Sequence, residues 1–198
     1  MIIDPSFCLK GPVNVASNAI NGGAGVIQLR YKVSSDFEFL DLALKLSKLC
    51  RKRRALFLVN DRVDIAMMSG AHGVHLGQND MPVKEAKKLL KGKIVGVSTH
   101  NRKEVLEALR SKADYIGFGP MFETKTKKVL PATVGIKGLR KIRKSVKIPI
   151  VAIGGINESN AGEVIEAGAD AVAVISAVCG ARNVLKATKA IKSRITGI

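Results

Sequence analysis

A short run, Gln28-Leu29-Arg30-Tyr31-Lys32, carries chemistry in its alternation. Successive side chains of an extended chain point to opposite faces, so Gln28, Arg30 and Lys32 share one face with Val26. Leu29 and Tyr31 share the other face with Ile27. A strand in a parallel sheet is covered on both sides, and three polar or cationic residues are costly to bury there without partners. An anionic ligand at the carboxyl end of this strand resolves the conflict; an exposed edge strand with snorkelling cations is the alternative. Acids complement the cations. Asp61 and Asp80 each follow an apolar run, and two carboxylates at neighbouring strand ends offer the hard oxygen donors that Mg²⁺ prefers. Each acid also has a structural reading: Asp61 as the cap of the helix carrying Val63, Ile65 and Ala66, and Asp80 as a turn residue before Pro82.

Other polar groups sit at similar places. Asn60 precedes Asp61, Gln78 and Asn79 precede Asp80, and Ser98-Thr99-His100 closes another apolar run. Gly154-Gly155, ahead of a helix expected to start near Asn157, exposes backbone N–H groups suited to phosphate, or else makes a tight turn. The segment 121–135 is long for a loop in a compact domain and contains Thr124-Lys125-Thr126-Lys127-Lys128. Such a segment suits a lid whose lysines close over phosphate oxygens, with a merely basic loop as the alternative. His72 and His75 fall on opposite faces of a strand and do not make a metal pair, while His100 reads as a helix start. The chain has no Gly-x-Gly-x-x-Gly and no Walker loop, and no nucleophile triad can be read from it.

These residues need elements to position them. Apolar, β-branched runs recur at 25–31, 55–60, 73–76, 94–98, 115–119, 149–154 and 171–176. Helix-period segments lie between them. Ser35-Asp36-Phe37-Glu38 reads as a capping box followed by a stripe of Phe37, Leu40 and Leu44. Asn101 with Glu104, Pro82, Asn157 and Asn183 mark further helix starts. An eighth unit takes residues 1–3 as a short first strand and 13–21 as its helix. Regular alternation predicts an α/β fold with a parallel sheet, closed into a (β/α)8 TIM barrel over a single domain spanning 1–198. In such a barrel the loops after the strands build the active site, and the polar residues above all fall there.

Composition bounds the partners. The chain has 198 residues, 46% of them hydrophobic, and no run reads as a membrane span or signal peptide. Cys8, Cys50 and Cys179 are far apart and odd in number, which points to a reducing, cytoplasmic setting without a disulfide framework. Cys50 and Cys179 read as small core residues. The formal charge of +17 raises the question of nucleic acid. Aromatic residues make up only 4%, and most bases fall between apolar positions of helical segments, so solvated helix faces account for the surplus and no specific nucleic-acid partner is expected.

The ordered motifs resemble the thiamine phosphate synthase family. They are Gln-Leu-Arg-x-Lys at 28–32, Asn60-Asp61-Arg62-Val63-Asp64, Gly73-Val74-His75-Leu76-Gly77-Gln78 with Asp80, Gly96-Val97-Ser98-Thr99-His100, Thr124-x-Thr126-Lys127, Ala152-Ile153-Gly154-Gly155-Ile156 and Ile175-Ser176. The resemblance implies a Mg²⁺-dependent transferase on a (β/α)8 barrel, joining hydroxymethylpyrimidine diphosphate to a thiazole phosphate with release of pyrophosphate. It implies a dissociative step, in which diphosphate leaves before the thiazole nitrogen attacks. Gln28, Leu29, Arg30, Tyr31 and Lys32, with Asn60, Ser98 and Lys127, resemble the pyrimidine-diphosphate contacts; Arg30, Lys32, Ser98 and Lys127 are the candidate catalytic groups. Asp61 and Asp80 resemble the Mg²⁺ ligands. Thr124, Lys125, Thr126, Gly155, Ile175 and Ser176 resemble the thiazole-phosphate contacts. Tyr31, His72 and Lys125 depart from the family pattern, Tyr31 on the face turned away from the ligand. Two other functions stay open on the residues alone: a thiazole tautomerase relative, which needs no diphosphate or Mg²⁺ site, and a non-catalytic nucleic-acid-binding or regulatory barrel. Self-association into a homo-oligomer is left open by the sequence.

Overall fold

A computed structural model describes residues 1–124 and 132–197. Eight parallel strands are paired in chain order: β1 (Ile2–Ile3), β2 (Val26–Leu29), β3 (Leu56–Asn60), β4 (Gly73–Leu76), β5 (Ile94–Thr99), β6 (Tyr115–Phe118), β7 (Ile150–Ile153) and β8 (Ala171–Ala173). Ile2 N–H donates to the Val174 carbonyl at 3.0 Å, just past β8, so the sheet curls into a nearly closed barrel. The (β/α)8 expectation is borne out, including the very short first strand.

The pleat sorts the side chains. Ile27, Leu29, Phe57, Val59, Val74, Leu76, Val95, Val97, Ile116, Phe118, Ile150 and Ala152 form one continuous core with the surrounding helices. Their alternation is strict, so the residues between them face the barrel interior. The inner set includes Gln28, Leu58, Asn60, His75, Ser98 and Tyr115. Burial of the outer set removes the apolar faces of strands and helices from water together, at about 25 cal/mol per Å².

Helices α1 (Pro12–Asn21), α2 (Asp36–Lys52), α3 (Val63–Met68), α4 (Val83–Leu89), α5 (Arg102–Arg110), α6 (Gly135–Arg143), α7 (Ala161–Glu166), α8 (Ser176–Cys179) and α9 (Val184–Thr196) follow the strands. The expected capping box is present: Glu38 N–H donates to Ser35 Oγ at 3.2 Å, and Ser35 N–H donates to the Glu38 carboxylate at 2.9 Å. The stripe behind it differs from expectation. Phe37 is 81% exposed and Leu44 47%, while Phe39, Ala43, Leu46 and Cys50 are buried. So many apolar residues crowd α2 that several stripes satisfy the helical period, and the one continuous to Cys50 is the one that meets the sheet. α7 begins four residues later than expected, because the Asn160 side chain accepts from Asn157 N–H and Asn157 accepts from Ser159, holding 157–160 as a turn. α8 was not foreseen; it puts Ser176 in a helical first turn instead of on a strand.

Candidate active site

The carboxyl end of β2 sends Gln28, Arg30 and Lys32 toward one face, as the alternation requires. Gln28 is buried in the barrel. The Arg30 guanidinium forms an ion pair with Asp4, at the end of β1. Asp4 is itself buried, and its carboxylate also accepts from Ser6 N–H at 3.1 Å and Ser6 Oγ at 2.6 Å. Lys32 Nζ donates to Asp61, at the end of β3. Leu29 packs wholly into the core, so only its backbone faces the mouth, and the Tyr31 ring turns away to lie 6.0 Å from Phe39.

Asp61 does not cap α3, whose first turn has no side-chain cap. Its backbone takes the left-handed conformation, with φ +66°, a region that Asp tolerates better than most residues. There its carboxyl group meets Lys32, the Asn60 side chain and Asp80. Burial pushes the Asp61 carboxyl upward, the hydrogen bond to Asp80 adds to this, and Lys32 opposes it. Asp80 is pushed the other way. Burial alone would raise it, but the Asp61 hydrogen bond, the Gly77 N–H at 2.6 Å, and the charges of Lys32 and His75 hold it below the usual carboxylate range. The Gly77 bond means that Asp80 also closes the turn foreseen for it. Two hydrogen-bonded carboxyl groups beside a lysine form a paired set of hard oxygen donors. Among the described residues no third His, Cys, Asp or Glu joins them, so a cation here would complete its shell with water and ligand oxygens.

Three further residues were missed in the sequence. His75 Nδ1 lies 2.8 Å from the Tyr115 hydroxyl and its Nε2 lies 2.9 Å from Ser98 Oγ, with the two rings stacked 5.4 Å apart. Burial raises the Tyr115 hydroxyl well above its ordinary value, which keeps it protonated. The imidazole thus bridges the Tyr115 and Ser98 hydroxyls, one on each ring nitrogen, and fixes the position of Ser98 Oγ. Gly96 makes room for the Tyr115 ring: a Cβ there would lie 2.1 Å from two of its carbons. His75 was set aside because it makes no metal pair with His72, and that separation holds, since His72 Nδ1 instead accepts from Phe57 N–H at 2.9 Å. The third missed residue is Asp4. The available signal was that His75 and Tyr115 occupy inward positions of their strands.

The other side of the mouth holds a cavity of about 410 Å³ lined by Thr124, Gly155, Ile175 and Ser176, with Glu123 at its edge. Gly154 and Gly155 have φ of +99° and +68°; a Cβ on Gly154 would strike Pro120 at 2.6 Å, and one on Gly155 would strike the Glu123 carbonyl at 2.6 Å and Phe122 at 2.7 Å. The absence of a Cβ thus lets the β6 loop lie against the end of β7. Lys125, Thr126 and Lys127 lie outside the described residues.

A family model described as thiamine monophosphate synthase matches residues 1–178. The thiamine-phosphate synthase of Chloroflexus aurantiacus is 48% identical over 182 residues, covering 92% of this chain and 84% of that protein. That of Pyrococcus furiosus is 47% identical over 184 residues, covering 93% and 88%. A solved structure of thiamine phosphate pyrophosphorylase from Pyrococcus furiosus superposes with a TM-score of 0.91 at 43% identity, covering 99% of this chain and 94% of that one. Orotidine 5'-phosphate decarboxylase from Pyrococcus horikoshii, at 18% identity and a TM-score of 0.69, shares the fold alone. A family model spanning residues 1–178, with relatives 47–48% identical over more than nine-tenths of the chain, makes the chain a member of the thiamine monophosphate synthase family.

Proposed function

We propose that this transferase joins hydroxymethylpyrimidine diphosphate to a thiazole phosphate, giving thiamine phosphate and pyrophosphate. The observation that carries the reading is the meeting of Lys32, Asp61 and Asp80 at one end of the barrel whose opposite rim holds the Thr124–Gly155–Ser176 cavity. One side suits a diphosphate and the other a monophosphate, with the reacting carbon and nitrogen between them.

Asp61 and Asp80 would hold Mg²⁺, since their side chains meet within hydrogen-bonding reach and offer hard oxygen donors at one place. Bound there, the cation would neutralise charge building on the departing diphosphate. The protein's own groups do the rest. Arg30 and Lys32 exchange their carboxylate partners for diphosphate oxygens, and Lys127 adds a third cation from the β6 loop. Ser98, positioned by His75, offers its hydroxyl to the same ligand. Asn60, next to Asp61, fixes the pyrimidine end. Thr124, Lys125, Thr126, Gly155, Ile175 and Ser176 hold the thiazole phosphate. Leaving-group stabilisation and positioning suffice for a dissociative substitution, and no protein nucleophile is required.

A coupled assay with both substrates and Mg²⁺ tests this. Thiamine phosphate and pyrophosphate should appear in equal amounts. Isomerisation of the thiazole with no thiamine phosphate formed would instead establish a tautomerase. Crystals soaked with pyrophosphate and Mg²⁺ should show density between Arg30, Lys32, Asp61 and Asp80.

A further inference from the structure

Two cysteines that are 171 positions apart in the chain meet in space. Cys8 Sγ lies 3.6 Å from Cys179 Sγ. Cys8 follows β1 and is half-buried; Cys179 ends α8 and is fully buried. The pair is anchored on both sides: Cys8 Sγ contacts the Asp4 carbonyl at 3.3 Å, Cys179 Sγ contacts the Ile2 carbonyl at 3.4 Å, and Leu9 N–H donates to the Cys179 carbonyl at 3.4 Å. The place where they meet is the seam of the barrel. There β1 contributes two residues and reaches the end of β8 through Ile2 N–H and the Val174 carbonyl. No other part of the sheet has so short a strand.

We propose that Cys8 and Cys179 are a redox pair that closes to an intramolecular disulfide, stapling the first strand to the last. Cys8 is the accessible member and Cys179 the resolving one. The S–H of Cys8 points at Cys179, which holds the Cys179 thiol below its ordinary value despite burial and pushes Cys8 well above its own. Counted from the two free thiols, with a low-molecular-weight disulfide as oxidant, Cys8 gives its proton to solvent and its thiolate attacks one sulfur of the oxidant, expelling a thiolate. Cys179 then gives its proton to solvent and attacks Cys8 Sγ, expelling the second thiolate. Two electrons leave the cysteines and cleave the oxidant's S–S bond; the two expelled thiolates take up two protons from solvent. Closure joins residues so distant in sequence that it removes a large loop entropy from the unfolded chain. Cys50 takes no part, since burial raises its thiol to about 11 and it sits inside α2.

The test uses the full chain equilibrated with oxidised glutathione and then freed of it. Titratable thiols should fall from three to one, the intact mass should drop by about 2 Da, and a Cys8–Cys179 linked peptide should appear on proteolysis. The melting midpoint should rise by several degrees, returning on treatment with dithiothreitol. Cys50→Ser should keep the whole response, and Cys8→Ser should lose it. Three titratable thiols after oxidation, a linkage through Cys50, a disulfide-linked dimer of two chains, or an oxidised form that melts no higher than the reduced one would each overturn the proposal.

Discussion

Replacing Gly96 by alanine perturbs the site without touching any group that would contact substrate. The new Cβ would lie 2.1 Å from the Cε1 and Cζ carbons of Tyr115. Carbons in contact settle near 3.5 Å, so the ring must retreat by about 1.4 Å. The Tyr115 hydroxyl is 2.8 Å from His75 Nδ1, and a movement of that size breaks the bond unless the imidazole follows. His75 has little room, since even a Cβ on Gly117 would come within 3.0 Å of its Cε1. Overpacking of this kind costs about 1–3 kcal/mol. An unsatisfied buried partner adds about 1–3 kcal/mol. The expected total, about 2–6 kcal/mol, corresponds to a fall in melting temperature of roughly 4–24 °C for a chain of this length. Loss of the Tyr115 bond that steadies His75, and through it Ser98, should also reduce kcat for thiamine phosphate formation more than it raises KM. Thermal denaturation and steady-state kinetics on Gly96→Ala measure both. A variant melting within a degree or two of the parent with unchanged kcat would refute the Tyr115–His75–Ser98 argument.

Other perturbations separate the remaining roles. Asp4→Ala leaves the Arg30 guanidinium, whose side chain is only 16% exposed, without its carboxylate; a denaturant titration should show a loss of about 3 kcal/mol, and kcat/KM should fall at least about tenfold. Asp61→Ala should lower Mg²⁺ affinity measured by calorimetry in the presence of pyrophosphate, and turnover by about 10²-fold or more, while circular dichroism stays unchanged. Lys127→Ala should reduce turnover with the fold intact, and a parent-like rate would remove this residue from the mechanism. RNA should bind weakly and without sequence preference, and filter binding should vanish between about 50 and 200 mM salt; tight binding at physiological ionic strength would contradict solvated helix faces as the origin of the +17 charge.

The architecture was legible because two periods alternate so cleanly. Strand parity alone put Ile27 and Leu29 on one face and Gln28 on the other, and the structure agrees, with the first face against the helices and the second inside the barrel. Helix faces were harder. α2 carries leucines and phenylalanines on several sides, so Phe37 and Leu44 satisfied the period yet stayed exposed, and only contact with the sheet distinguishes Phe39 and Leu46. The site was readable where a residue announces itself by charge at a strand end, as Arg30, Lys32, Asp61 and Asp80 do. It was not readable where function depends on pairing across strands. Asp4 stands beside a two-residue strand with no pattern of its own, and its bond to Arg30 spans 26 positions. His75 and Tyr115 are 40 apart and look like isolated polar residues in apolar runs. Cys8 and Cys179 were too distant in sequence to be read as partners, although Cys179 is indeed buried.

Neither Arg30 nor Lys32 waits with bare charge at the rim; each already leans on an aspartate. Entry of an anion is therefore a substitution, and the newcomer must outbid a built-in carboxylate. Chloride, acetate and other singly charged solutes bring no more than the aspartates they would displace, so they gain nothing by entering. A diphosphate brings several charges and can bridge both cations at once. A mouth built of such pairs would thus screen anions by valence.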